Sequence, residues 1–247
     1  MAAQSFIFKF PRTPSVAITK TAVPLGHFGT WIDGVTAYSA SDGKSYNSLG
    51  VWNRNAYYWE ASSFDTCNGH CDSYLEYHIH WLPKCLFTYS DSTSHSPLIG
   101  FAFDGYPIYG PYGYSSANNS ASSIKLIATS YRLRSITTRT TLSNGTVLLS
   151  AYYGPNINST YPLGSYMEDY EYLSGNGDLD QYNGRWCVTP EYPNGTYAYF
   201  VTIDSSFTPQ YPYILGPYFY GSPVTSNLVT GTGKIPTEKV TTYYSYS

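Results

Sequence analysis

Charge is scarce in this chain: only 12% of its 247 residues are Asp, Glu, Lys or Arg, about half of ordinary usage. The 13 basic and 16 acidic residues leave a formal net charge of −3. That argues against a binder of nucleic-acid backbone, which normally carries a basic patch and a high pI. The nearest thing to a patch is Arg132, Arg134 and Arg139 in YRLRSITTRT, expected on the exposed face of a strand. No run of about 20 apolar residues occurs, so no helical membrane span is expected. The start, MAAQSFIFKFPRTP, lacks the apolar stretch of a secretory leader. An extracellular destination would need a leader already removed, or another route. A Gly-x-Ser-x-Gly elbow, a phosphate-binding P-loop and a dinucleotide glycine fingerprint are all missing. Histidine is rare too, at five residues.

What is abundant is tyrosine, with 29 residues and an aromatic fraction of 18%. Aromatic side chains suit pleated, half-buried surfaces. With 21 Gly and 16 Pro, the composition predicts a mostly β protein of many short strands. We expect a single large antiparallel domain, sandwich or barrel-like, with long loops and at most one short helix, over 163–173. Strands are expected over 5–10, 51–60, 74–80, 98–103 and 197–204. Residues 106–109 return from the Asp104-Gly105 turn, and two strands flank Asn144-Gly145. Residues 1–20 read as a lead-in segment, 21–221 as the β domain, and 222–247 as a polar, loosely attached tail. No internal repeat of 20–50 residues stands out.

Two features favour an oxidising, extracellular setting. Four Asn-x-Ser/Thr sequons stand at Asn118, Asn144, Asn158 and Asn194, and such sites accept glycans on surface loops of secreted proteins. The four cysteines, Cys67, Cys71, Cys85 and Cys187, allow three pairings that sequence leaves open. The expected pairing ties Cys67 to Cys85 across the histidine segment and leaves Cys71 for Cys187. Zinc ligation by cysteine is the alternative, but Cys67-x3-Cys71 lacks the usual spacing and a second half.

The most informative stretch is CNGHCDSYLEYHIHWLPKCL, which holds His70, His78 and His80. Side chains alternate along a strand, so a His-x-His pair points both rings to one face. Imidazole is the commonest transition-metal ligand. Three converging nitrogens would suit a divalent transition metal, zinc or copper above all. The competing reading keeps the histidines as hydrogen-bonded core residues beside Tyr77. Asp104 and Asp180 are candidate bases or orienters of the imidazoles, although an Asp beside Gly also commonly caps its own turn. Arg185 could clamp an anion, but a salt bridge to Asp178 or Asp180 is the preferred reading. Oxygens of the Asp178–Asp180 loop offer a calcium site, at a spacing unlike an EF-hand.

Several segments, in order, resemble the YHYH-domain family, proteins of the cell surface or exterior named for a Tyr-His-x-His motif. They are FDTCNGHCDSYLEYHIHWLPKCL, HSPLIGFAFDGYPIYGPYGY, GDLDQYNGRWCVTPEYPNGTYAYFVT and YPYILGPYFYG. The resemblance runs over roughly residues 26–221. The motif histidines fall on His78 and His80, the family's Gly-His on Gly69-His70, and its His-Ser-Pro on His95-Ser96-Pro97. Its Asp-Gly-x-Pro-Ile-Tyr-Gly falls on Asp104 to Gly110. This chain has Gln181 where the family's Asp-rich loop carries Glu. It has Asn53 and Tyr182 where members often carry histidine. The resemblance implies a β-rich extracellular domain with a metal site and defines no reaction.

Three functions compete. The first is an extracellular metal-binding domain. The second is a matrix, filament or coat protein that self-associates through a free sheet edge. The third is a metal-dependent hydrolase of phosphoesters, with Asp104 or Asp180 as base.

Overall fold

The computed structural model describes residues 1–228 except 3 and 5. The part of the expected tail over 229–247 lies outside the described residues. The centre of the molecule is one eight-stranded sheet. Its strands are β1 (His27–Trp31), β2 (Thr36–Tyr38), β3 (Gly69–Cys71), β4 (Tyr77–Ile79), β5 (Leu98–Ala102), β6 (Pro107–Tyr109), β7 (Gly184–Cys187) and β8 (Thr196–Phe200). The spatial order is β3-β4-β2-β1-β5-β6-β8-β7. The mostly β expectation holds, but the sheet is mixed, because β2–β4 and β6–β8 run parallel.

That order is a palindrome, and the detail confirms it. β1 to β4 and β5 to β8 share one topology: a hairpin whose second strand pairs in parallel with the last strand, which pairs antiparallel with the third. The first hairpins read FGTWIDGVTAY over 28–38 and IGFAFDGYPIY over 99–109, matching at Gly29/Gly100, Asp33/Asp104, Gly34/Gly105 and Tyr38/Tyr109. Both carry the same register irregularity, between His27 and Gly29 and between Leu98 and Gly100. The halves meet at β1–β5, where Gly29 faces Ala102, Thr30 faces Phe101 and Trp31 faces Gly100. A two-fold axis therefore passes through the Thr30–Phe101 pair. Flanking hydrogen bonds obey it: Ile32 N–H donates to Ile99 O at 2.9 Å and Phe103 N–H to Phe28 O at 2.8 Å.

Each half enters its third strand by the same corner, DTCNG over 65–69 and DQYNG over 180–184. Oδ1 of Asp65 accepts the N–H groups of Cys67 and Gly69, and Oδ1 of Asp180 accepts those of Tyr182 and Gly184. Asn68 and Asn183 take left-handed φ values of 69° and 60°, which Asn tolerates better than most residues. The ring of Tyr77 or Tyr197 then lies over the glycine, where no Cβ could fit, and its hydroxyl donates to the corner Asp.

The core is aromatic and aliphatic. Phe28, Trp31, Ile99, Phe103, Ile108, Tyr199, Val201 and Phe219 are buried in one cluster. Phe8 and Phe10 pack rings on Phe103 at 4.9 and 5.6 Å, but residues 6–10 form no strand. The 222–228 segment is tied down rather than loose. Val224 N–H donates to Phe103 O, and Asn227 exchanges hydrogen bonds with the Lys9 backbone.

Other expectations need correction. In 51–60 only Asn53–Asn55 is strand. The chain then turns into a short helix, α1 (Ala56–Trp59), because the Asn55 side chain accepts the Tyr57 N–H as an N-cap. Over 163–173 only Met167–Asp169 makes a 3-10 turn, followed by a strand at Tyr170–Tyr172. That strand pairs with Tyr131–Leu133, so the Asn144-Gly145 turn keeps only a single Thr141–Val147 bridge. Arg134 and Arg139 are not on an exposed face. Arg139 is fully buried and grips Asp169 through two bonds of 2.7 Å, so that buried charge is paired.

Candidate metal centre

The site grows from β3 and β4. His70 and His78 stand directly opposite in the antiparallel ladder, and His80 lies two residues past His78, on the same face. One ring nitrogen from each of His70, His78 and His80 falls within 4.8 Å of the others, the one group so spaced to hold a metal among the described residues. His78 and His80 are buried and His70 half-buried.

The hydrogen bonds fix each tautomer. His78 Nδ1 lies 3.0 Å from the Glu76 carbonyl oxygen, and His80 Nδ1 lies 2.6 Å from that of Ser39. A carbonyl only accepts, so both Nδ1 atoms carry the proton. His70 Nδ1 lies 2.8 Å from Ser63 Oγ, whose hydroxyl donates to Glu60 O at 2.6 Å. Ser63 therefore accepts from His70 Nδ1–H. All three Nε2 atoms are left as lone pairs. The Nε2 atoms of His78 and His80 are 3.0 Å apart, a hydrogen-bond length with no hydrogen to share. His70 Nε2 is buried without a partner.

Burial keeps the rings neutral, the form that coordinates metals. It pushes His78 down to about 3 and His80 down to about 4, the neighbouring His80 adding to the effect at His78. His70 is lowered by burial and then by His80. Tyr38 stacks on His78 at 3.7 Å between centroids. Its hydroxyl donates towards Glu76 and Asp72 at 3.0 and 3.3 Å, which holds the ring of His78 in place. A cleft of about 280 Å³ opens onto the cluster, lined by all three histidines with Tyr38, Asp42, Glu60, Asp72 and neighbours. Adjacent ligands set at right angles around a metal at about 2.0–2.3 Å lie about 3 Å apart, so the residues present fit a transition-metal ion.

Sequence reasoning missed Glu60, Ser63, Ser39 and Glu76. Glu60 Oε2 lies 3.3 Å from His80 Nε2 and 3.6 Å from His70 Nε2, and it too is buried without a hydrogen-bond partner. The one signal for Glu60 was the Asn55 cap, which starts the turn that delivers it.

The other expected site residues lie elsewhere. Asp104 is fully buried and accepts from Tyr199 Oη, Gly221 N and Tyr106 N at 2.6, 2.9 and 3.3 Å. Asp180 is the corner of the second half and accepts from Tyr197 Oη at 2.8 Å. Neither reaches the histidines, so neither is a base or orienter there. Arg185 makes no ion pair with Asp178 or Asp180. It donates to the Tyr114 carbonyl at 2.8 Å and lies over the Phe200 ring, while Asp178 pairs with Lys125. Both carboxylates accept hydrogen bonds there, and no group of three or more possible ligands gathers at the loop among the described residues.

Cys67 and Cys85 form a disulfide. Cys71 and Cys187 are free. They sit on β3 and β7, the opposite edges of the sheet, several strand spacings of about 4.8 Å apart. A bridge needs Cα atoms within about 7 Å.

Under the two-fold axis the three histidine positions have plain counterparts. Arg185 stands for His70, because it follows Gly184 as His70 follows Gly69. Ala198 and Phe200 stand for His78 and His80, because Tyr199 pairs with Gly184 as Ile79 pairs with Gly69. The second half keeps the frame without the imidazoles.

A β-sheet frame that buries three convergent, unprotonated imidazole nitrogens beneath a cleft defines a domain able to hold a metal. The family model described as YHYH protein matches residues 7–213, and the chain is a member of that family. No curated protein and no solved structure matches it.

Proposed function

We propose that the protein is an extracellular metal-binding domain that holds one divalent transition metal, zinc or copper, through Nε2 of His70, His78 and His80. One observation carries the reading: three buried Nε2 lone pairs meet with no donor between them. Burying such acceptors unpaired costs free energy, and a cation at their centre removes the cost. An ion held there would supply Lewis acidity to whatever enters the cleft. The extracellular setting is supported by the Cys67–Cys85 disulfide and by four sequon asparagines that are all exposed.

The cleft also bears on the hydrolase reading. An open approach to the histidines would favour exchange of small ligands at a bound ion over a sealed structural site. Among the described residues its lining includes Asp42, Glu60 and Asp72 and no Lys or Arg, which disfavours an anionic phosphoester. Asp104 and Asp180 accept hydrogen bonds from Tyr199 and Tyr197, which gives the hydrolase reading no support from either carboxylate.

Metal content of the purified protein, measured by inductively coupled plasma mass spectrometry, tests the proposal. About one equivalent of metal is expected, and it is lost in His78→Ala/His80→Ala. No metal in the wild type after incubation with Zn²⁺ or Cu²⁺ overturns it.

A further inference from the structure

We infer that Glu60 is a fourth protein ligand, so that the centre is a three-imidazole, one-carboxylate site. The inference deepens the proposed function and rests on it.

Glu60 Oε2 and His70 Nε2 are both buried, both without a hydrogen-bond partner, and 3.6 Å apart. His80 Nε2 lies 3.3 Å from the same oxygen. With every Nδ1 proton already donated to Glu76, Ser39 or Ser63, no hydrogen lies between any of these atoms. An ionised carboxylate is an acceptor only, so Glu60 Oε2 meets the Nε2 atoms of His70 and His80 as acceptor against acceptor. Oxygen-to-nitrogen distances of 3.3 and 3.6 Å are those of neighbouring ligands that share one ion, because two bonds of about 2.0–2.2 Å at angles of 90–110° span about 3–3.6 Å.

The rival role for Glu60 is an ordinary ion pair. An ion pair would set a protonated Nε2 in a hydrogen bond with the carboxylate, and neither Glu60 Oε2 nor His70 Nε2 has a hydrogen-bond partner. The backbone makes the placement deliberate. Glu60 N–H closes α1 onto Ala56 O, and Ser63 N–H and Oγ–H both bind Glu60 O. One serine thus fixes the carboxylate's turn and the His70 ring together. A carboxylate with three neutral imidazoles leaves a divalent ion one net positive charge. It adds a hard oxygen to the donor set, which favours divalent ions over Cu⁺. Glu60 itself lines the cleft that opens onto the histidines.

The test uses the full chain, stripped with a chelator and then titrated with Zn²⁺ or Co²⁺ against a competing chromophoric chelator. Wild type is compared with Glu60→Gln, and thermal melts are recorded with and without metal. Two shifts of opposite sign are expected. Glu60→Gln loses at least about tenfold in metal affinity, and its metal-induced rise in Tm shrinks. The metal-free variant melts at or above the metal-free wild type, because the Gln amide donates to lone pairs that the carboxylate could only repel. A merely structural Glu60 would lower the metal-free Tm and leave affinity alone. Affinity within about threefold of wild type overturns the inference while sparing the three-histidine reading. No binding by wild type to either ion overturns both. Glu60→Asp guards against misfolding: it retains the carboxylate on a shorter arm, and its affinity should fall between the other two.

Discussion

Glu168 shows how one half-buried residue writes a pH dependence into the fold. Both its oxygens accept from Asn53, at 2.6 Å from N–H and 2.8 Å from Nδ2–H. It lines a second cavity of about 440 Å³ with mostly apolar walls. Burial pushes its carboxyl up to about 7 from an ordinary 4.5. Between those values the folded chain holds a proton that the unfolded chain has released. Stability contributed by this group is therefore complete below about pH 4.5 and lost as pH rises through 7, by up to about 3 kcal/mol. Urea melts at pH 5 and pH 8 should show that drop in wild type and a much smaller one in Glu168→Gln. An identical drop in both proteins would assign the effect to other groups. At this same scale the sequence was informative about His78 and His80, because a period of two fixes their common face whatever surrounds them; His70 joins them only through the pairing of β3 with β4. It held only the Asn55 cap as a signal for Glu60 and nothing for Ser63, because both roles depend on a turn that the Tyr- and Trp-rich 51–60 segment disguises as strand. The Asp104 and Asp180 expectations failed for a related reason: a carboxylate beside Gly served backbone N–H groups, as turn Asp residues commonly do.

Among the elements, β3 and β4 are the ones on which the site depends, and their supports are few. Each is three residues long, and the disulfide closes the loop that carries both, with a sequence separation of 18. Loop closure of that length is worth about 3 kcal/mol. Cys67→Ser/Cys85→Ser should lower Tm by about 6–12 °C for a chain of this size, read by calorimetry. Metal affinity should weaken with it, because His70 and His78 face each other only while β3 and β4 stay paired. Retention of wild-type affinity at 25 °C with a lowered Tm would show that the corner at Asp65 suffices alone. Strands at 98–103, 106–109 and 197–204 were legible from β-branched and aromatic runs between turn signals. Residues 163–173 were not, because tertiary pairing with Tyr131–Leu133 overrides a weak local preference for helix.

For the molecule as a whole, the two-fold axis makes a symmetric demand. A Cβ on Gly29 would strike the Phe101 carbonyl oxygen, and one on Gly100 would lie 2.6 Å from that of Thr30. Gly29→Ala and Gly100→Ala should therefore destabilise by similar amounts, about 1–3 kcal/mol each, measured by chemical denaturation. A large cost for one and none for the other would show that the halves do not share the seam equally. The repeat escaped detection in the sequence because the spacing between its halves is not constant. Asp33 and Asp104 are 71 residues apart, but Asp65 and Asp180 are 115 apart. Only backbone register restores the correspondence.

The seam at Thr30 and Phe101 has one more consequence. A unit like the first half, paired with a copy of itself about that axis, would be a homodimer with two equivalent histidine pockets and no freedom to alter one alone. Joining the halves in a single polypeptide removes that constraint. Ala198 and Phe200 could become packing and Arg185 a donor to a loop carbonyl, while His70, His78 and His80 stayed together. One gene with two copies of a frame can thus divide labour, with one pocket kept for chemistry and its twin given over to holding the sheet together.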